Sequence, residues 1–206
     1  MSESISGHEL DRQNPWPGLD SYSEAAQEYF YGRAAEIDEL SRRVKGQNLT
    51  VLFGESGLGK TSLLQAGLFP KIRREAFLPV YVRLRFSASE QPLGTQVKEQ
   101  LSGAIRAARL ENTEPLENQA SVWHWLHLRE SELCDDFGRA VAPIFVFDQF
   151  EEIFTLGRAV PDLVARFVTE LGDWPRTACP LNSGKRSSAT RGRPLASIFS
   201  GPIPVC

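Results

Sequence analysis

A chain of 206 residues, 41% of them hydrophobic, suits one domain with tails and can bury a core, and its net charge of −3 gives no general case for nucleic-acid binding. The charge is uneven, because Arg176 to Cys206 carries five basic and no acidic residues and leaves 18 basic against 26 acidic in the remainder. Cys134, Cys179 and Cys206 have no metal or disulfide spacing, no stretch reaches the roughly 18 apolar residues of a membrane span, and polar Met1–Leu10 lacks the apolar centre of a signal peptide, so a reduced, cytoplasmic setting with no membrane partner is expected.

In chain order, residues 1–13 are polar and predict a disordered N-terminal tail. Asn14-Pro15-Trp16-Pro17-Gly18-Leu19 follows as a rigid turn whose Trp16 and Leu19 read as anchors for a terminal arm. Phe30-Tyr31-Gly32-Arg33 leads into Ala34–Val44, where Ile37, Leu40 and Val44 fall at helical spacing. Arg42, Arg43 and Lys45 in its last turn, with Gly46 beyond, are ordinary helix electrostatics and capping.

Thr50–Phe53 is a short apolar run that predicts a buried strand, and Leu63, Leu64, Ala66, Leu68 and Phe69 predict a helix that breaks at Pro70. Between them Gly54, Gly59, Lys60 and Thr61 fit the pattern G-x-x-x-x-G-K-[ST]. Gly54, Gly57 and Gly59 are expected at positive φ, bringing backbone N–H groups close to phosphate oxygens. The helix start adds its dipole, Lys60 a point charge for the β- and γ-phosphates, and Thr61 a hydroxyl for Mg²⁺. A bare glycine-rich turn is the plain alternative, and the flanking strand and helix favour the phosphate site.

Pro79–Leu84 alternates and predicts a second strand, Ser87–Pro92 a loop, Leu93–Leu110 a helix, and Glu111–Asn118 another loop. Ser121–Cys134 predicts an aromatic-rich helix. Its His124 and His127 have no third ligand nearby, so they read as solvent-facing or hydrogen-bonded. Pro143–Phe147 predicts a buried strand closed by Asp148, which can hold Mg²⁺ opposite the Thr61 hydroxyl or simply cap the next helix. Glu151 and Glu152 stand just beyond, where one can orient an attacking water or both can sit in a helix's first turn. Pro161–Leu171 predicts an amphipathic helix, and residues 174–206 a basic, disordered tail.

The order Pro15-Trp16-Pro17-Gly18-Leu19, Phe30-Tyr31-Gly32-Arg33-Ala34-Ala35-Glu36-Ile37, Gly54 to Pro70, and Phe147-Asp148-Gln149-Phe150-Glu151-Glu152-Ile153-Phe154 resembles the novel STAND NTPase domains. These are signal-transduction ATPases related to the AAA+ and apoptotic groups. The glycine loop alone is shared by many NTPases. Gly32-Arg33-x-x-Glu36 upstream, combined with Asp148-Gln149-Phe150-Glu151-Glu152 downstream, is much more specific.

The resemblance implies an α/β, three-layer P-loop domain with a mostly parallel sheet over residues 14–173. It implies that Gly54, Glu55, Ser56, Gly57, Leu58, Gly59, Lys60, Thr61 and Ser62 bind ATP, with Gly32 and Arg33 near the adenine. Thr61 and Asp148 would bind Mg²⁺, Asp148 as the Walker B acid. Related ATPases often carry an acid where this chain has Gln149, so the base is Glu151, Glu152 or neither. Family members are switches, held by ATP in a closed, often oligomeric state and reset by slow hydrolysis, so self-association or an effector protein is the implied partner. The long C-terminal parts usual in the family are absent from the sequence.

In the family's sheet a strand lies between the glycine-loop strand and the Asp148 strand, and here Leu195–Phe199 is the only weak substitute. C-terminal strands are therefore expected to be missing, and the change of composition near Trp174 suggests a truncated or frame-shifted product. The alternative function is a non-catalytic fragment acting as a weak nucleotide-binding or protein-interaction module. A phosphotransferase using Arg83, Arg85 or Arg129 is a further reading, and only the basic tail favours nucleic acid.

Overall fold

A computed structural model describes residues 10–87, 91–112, 116, 121–127, 132–173 and 196–201. Residues 1–9 of the expected first tail, the side chain of His127, Arg129 and most of the second tail lie outside the described residues; in the described part of the first tail the Gln13 amide donates to Asp11 Oδ1 at 2.7 Å. The chain is a mixed α/β structure. Its strands are β1 (Leu49–Phe53), β2 (Phe77–Val82), β3 (Glu111–Asn112), β4 (Leu133–Cys134), β5 (Ala140–Phe147) and β6 (Ala196–Gly201). Its helices are α1 (Ala34–Gly46), α2 (Lys60–Ser62), α3 (Phe69–Arg74), α4 (Leu93–Ala107), α5 (Val122–His127), α6 (Glu152–Thr155) and α7 (Pro161–Asp173).

β1, β6, β5 and β2 lie side by side, every pair parallel, with Val51 opposite Phe199, Phe147 opposite both Phe199 and Val82, and Tyr81 opposite Val146. Short β4 runs antiparallel to the start of β5, and β3 pairs with β4. The slot between β1 and β5, for which the sequence offers only a weak candidate, is thus filled by Ala196–Gly201. A short strand of Ala, Ser, Ile, Phe and Gly has a modest preference of its own, but here it gains a ladder on both edges.

The period of two along β5 divides the core. Ile144 and Val146 face a cluster built with Leu40 and Val44 of α1 and with Leu63, Leu64, Leu68 and Ile72. Phe145 and Phe147 face the other way, against Val97 and Leu101 of α4, Trp125 of α5 and Phe167 of α7. On β1 only Thr50 is buried, whereas Leu49, Val51 and Phe53 are exposed.

Several boundaries differ from the sequence reading. The helix does not break at Pro70. Between α2 and α3, Leu63–Leu68 is π-helical, and the Phe69 amide bonds back to the Leu64 carbonyl, so the chain stays helical to Arg74. The wider turn arrives where Pro70 has no N–H to give, which removes the usual cost of an interior proline. β2 begins two residues before Pro79, and at a strand that pairs with β5 alone among the described residues a proline is tolerated. Leu133–Cys134 is strand rather than helix, and Glu111–Asn112 is strand rather than loop. Trp16 and Leu19 do not anchor the arm, since both are largely exposed. Tyr22 does so instead: its amide donates to Ser62 Oγ at 3.1 Å and its hydroxyl to the Pro15 carbonyl at 3.0 Å.

Candidate functional site

Alternation carries past the end of β5. Ile144, Val146 and then Asp148 fall on one face, the face on which the helical segment after β1 packs. Thr61, in the first turn after the glycine loop, therefore meets Asp148: its hydroxyl donates to Asp148 Oδ2 at 3.0 Å. The two residues lie 87 apart in sequence, and the contact brings together the two stretches that the sequence marks for chemistry.

Asp148 is 6% exposed. Carboxylate oxygens so buried need hydrogen-bond partners. Besides Thr61, the Tyr81 hydroxyl of β2 donates to Oδ2 at 2.6 Å, and the Gln149 amide donates to Oδ1 at 3.0 Å. Burial first, and then the bond to Asp148, push the Tyr81 phenol far above its ordinary range, so it stays a donor. Gln149 takes a left-handed backbone, φ 54°, which turns the chain away from the strand, and its side-chain oxygen accepts from Arg83.

The glycine loop has the expected strained turns at Gly57, φ 84°, and Gly59, φ 70°, but Gly54 is not at positive φ. What Gly54 provides is room, because a Cβ there would stand 3.3 Å from Leu58 Cδ1. The Lys60 ammonium lies within its own loop and donates to the Gly54 and Glu55 carbonyls, each at 2.9 Å. Ser62 is buried, and its hydroxyl is engaged by the Tyr22 amide.

Gly32 is again left-handed, φ 87°. Arg33 after it forms a fork on Glu36, with bonds of 3.0 and 2.9 Å, and its third arm donates to the Leu58 carbonyl at 2.8 Å. The structure thus joins Arg33 to the back of the loop.

The two glutamates behave differently. Glu152 opens α6 and lies 3.7 Å from Arg83, so it is an ion-paired residue of a helix first turn. Glu151 has a buried Oε2 with no hydrogen-bond partner. Burial first, with the negative charges of Glu152 and Asp148 adding to it, raises its carboxyl above the ordinary range, against the opposing bond from its own backbone amide and a smaller pull from Lys60. Glu151 therefore holds its proton to higher pH than an ordinary glutamate. Arg83 is committed to Gln149 and Glu152.

Sequence reasoning missed Tyr81, which reads only as one residue of an alternating strand. Its register opposite Val146, two residues before Asp148, could have revealed it once β2 and β5 were known to be neighbours. It also missed Gln96, whose buried amide holds the chain after β2 by accepting from the Arg85 amide and donating to the Arg85 carbonyl.

Among known proteins, the family model described as Novel STAND NTPase 1 matches residues 15–187. That span contains the glycine loop, Asp148 and the glutamates, and ends before β6. No curated protein and no solved structure matches the chain.

Proposed function

We propose, from the premise that the chain belongs to the novel STAND NTPase 1 family, that residues 14–173 together with β6 form a three-layer P-loop domain that binds ATP with Mg²⁺ and switches state as it slowly hydrolyses it. The observation that carries this reading is the 3.0 Å bond between Thr61 and Asp148. It joins a phosphate-loop hydroxyl to a strand-end carboxylate, the pair that a Mg²⁺–nucleotide site requires.

The residues present fit the metal. A threonine hydroxyl and a buried carboxylate are hard oxygen donors of the kind Mg²⁺ prefers. Glu151 adds a carboxylate near Asp148, while Glu152 is offset by Arg83 at 3.7 Å. Thr61 and Asp148 would hold the ion, which would supply charge neutralisation for the phosphate oxygens when bound.

The chain's own groups do the rest. The amides of Gly54 to Lys60 cradle phosphate, with Glu55, Ser56 and Leu58 contributing backbone rather than side chains. Lys60 exchanges its two loop carbonyls for phosphate oxygens. Arg33 and Gly32 set the loop's shape from behind. Glu151 accepts the proton of the attacking water, and Glu152, paired with Arg83, keeps to α6. ATP favours the state in which this cradle is closed, and a partner protein or second copy that prefers the same state is recruited by it. The chain works in the cytoplasm on this reading, and no helix among the described residues is long and apolar enough to cross a membrane.

Titration calorimetry with ATP on the purified chain, with and without Mg²⁺, tests the proposal beside Lys60→Ala. Binding that strengthens with Mg²⁺ and is lost in the variant supports it. Equal affinity in wild type and variant refutes it and leaves the non-catalytic interaction module. A ligand that prefers the folded chain must also raise its melting temperature, so Mg²⁺-ATP should shift the wild-type transition upward.

A further inference from the structure

We propose that Tyr81 is a positioning residue for the divalent cation: its hydroxyl, from the strand beside β5, fixes the Asp148 carboxylate in the orientation that Thr61 also requires. The inference rests on the reading of Thr61 and Asp148 as the Mg²⁺ pair and adds a third residue that the sequence motifs do not contain.

The geometry makes the case. Asp148 stands one residue beyond β5, and its amide donates to the Val82 carbonyl of β2 at 2.9 Å, which fixes its backbone and leaves the carboxylate to be oriented by the groups that meet it. Two bonds converge on Oδ2, from Thr61 at 3.0 Å and from Tyr81 at 2.6 Å. They come from different directions, one from the helix after the glycine loop and one from β2. The Gln149 amide on Oδ1 fixes the other end. Without Tyr81 the Oδ2 end would lose one of the two bonds that converge on it. With Tyr81 present it is held at three points, so Thr61 can turn a lone pair outward while its proton stays on Oδ2.

Tyr81 is itself held. Its ring meets Phe69 edge-on at 6.3 Å between centroids, and its backbone lies in the β2–β5 ladder opposite Val146. Outer residues that orient a metal ligand typically contribute about 10–100-fold to metal affinity. Because Asp148 is held by two further bonds, the lower end of that range is expected.

Tyr81→Phe removes only the hydroxyl and keeps the ring. The readout is the Mg²⁺ concentration that half-saturates the ATP-dependent rise in melting temperature, together with ATP affinity by calorimetry in excess chelator. The variant should need roughly tenfold more Mg²⁺ with ATP affinity in chelator unchanged. Val97→Ala loosens the core cluster on the opposite face of the sheet and should leave the Mg²⁺ requirement at the wild-type value.

An unchanged Mg²⁺ requirement in Tyr81→Phe, with wild type responding to Mg²⁺, overturns the role of Tyr81 and leaves the nucleotide site standing. An equal rise in Val97→Ala overturns it too, since general loosening of the core would then explain the effect. Should wild type bind ATP no better with Mg²⁺, or should Lys60→Ala keep full affinity, the nucleotide reading itself fails and Tyr81 with it.

Discussion

Glu151→Gln separates the stability of this fold from its chemistry. Glu151 Oε2 is closed to solvent and has no hydrogen-bond partner, while the residue as a whole is partly exposed. A buried acceptor left unpaired costs about 1–3 kcal/mol, and solvent screening of the exposed part of the side chain puts this one near the low end, about 1 kcal/mol. The carboxyl is raised in the folded state, by burial first and by Glu152 and Asp148 next. The folded chain therefore holds this proton to higher pH than the unfolded chain. Stability from that group is complete below the ordinary carboxyl range and is lost as pH rises through the folded value. Glutamine has no proton to lose. The variant should match wild type near pH 4 and melt about 2–4 °C higher near pH 8, the shift expected for about 1 kcal/mol in a chain of this size. Hydrolysis should fall by roughly 10²–10⁴-fold if Glu151 is the base, with ATP affinity kept. Calorimetric melting across pH and a phosphate-release assay read both effects. A melting difference that stays constant or reverses with pH would falsify the desolvation argument, and undiminished hydrolysis would remove Glu151 as the base.

Gly67→Ala should destabilise despite the better helix propensity of alanine. The new Cβ would stand 2.7 Å from Ile37 Cγ1 and 2.8 Å from Ile37 Cδ1. Overpacking of that kind costs about 1–3 kcal/mol against a propensity gain of about 1 kcal/mol, so urea unfolding should show a net loss of about 1 kcal/mol. Made in an Ile37→Ala background, the same change should become neutral or stabilising, and a loss of equal size there would count against the clash. Gly59→Ala places a side chain at φ 70° and should lower stability by roughly 1–2 kcal/mol. It should weaken ATP binding as well, and an unchanged urea midpoint would show that the loop relaxes without strain.

What could be read in advance was local chemistry. The loop from Gly54 to Thr61 and the strand ending at Asp148 announce themselves because each needs its residue types in immediate succession. Their meeting was also foreseeable, since both patterns imply the same ion. The failures are non-local. Nothing in Tyr81 distinguishes it from other strand residues until β2 is placed beside β5. Ala196–Gly201 has little intrinsic strand signal and is defined by partners on both sides, one of them almost 150 residues away by register with β1. Pro70 predicts a break by itself, and only the π-turn ahead of it, pressed by α1 at Gly67, explains why the helix continues. Trp16 and Leu19 look like anchors by residue type, yet the tie is made by Tyr22 through its amide and hydroxyl, groups no hydrophobic pattern reports.

The central place of β6 has a consequence for biogenesis. β1 and β5 carry the two halves of the site but do not pair with one another, since β6 lies between them. On the ribosome the loop and Asp148 emerge first, and Gly201 follows roughly 50 residues later, several seconds at ordinary translation speed. Throughout that interval the nascent chain has two open parallel edges of matching polarity and no wedge to keep them apart. A direct ladder between them would leave no place for Ala196–Gly201, so the order in which these edges find their partners bears on whether β1 and β5 end at the spacing seen here.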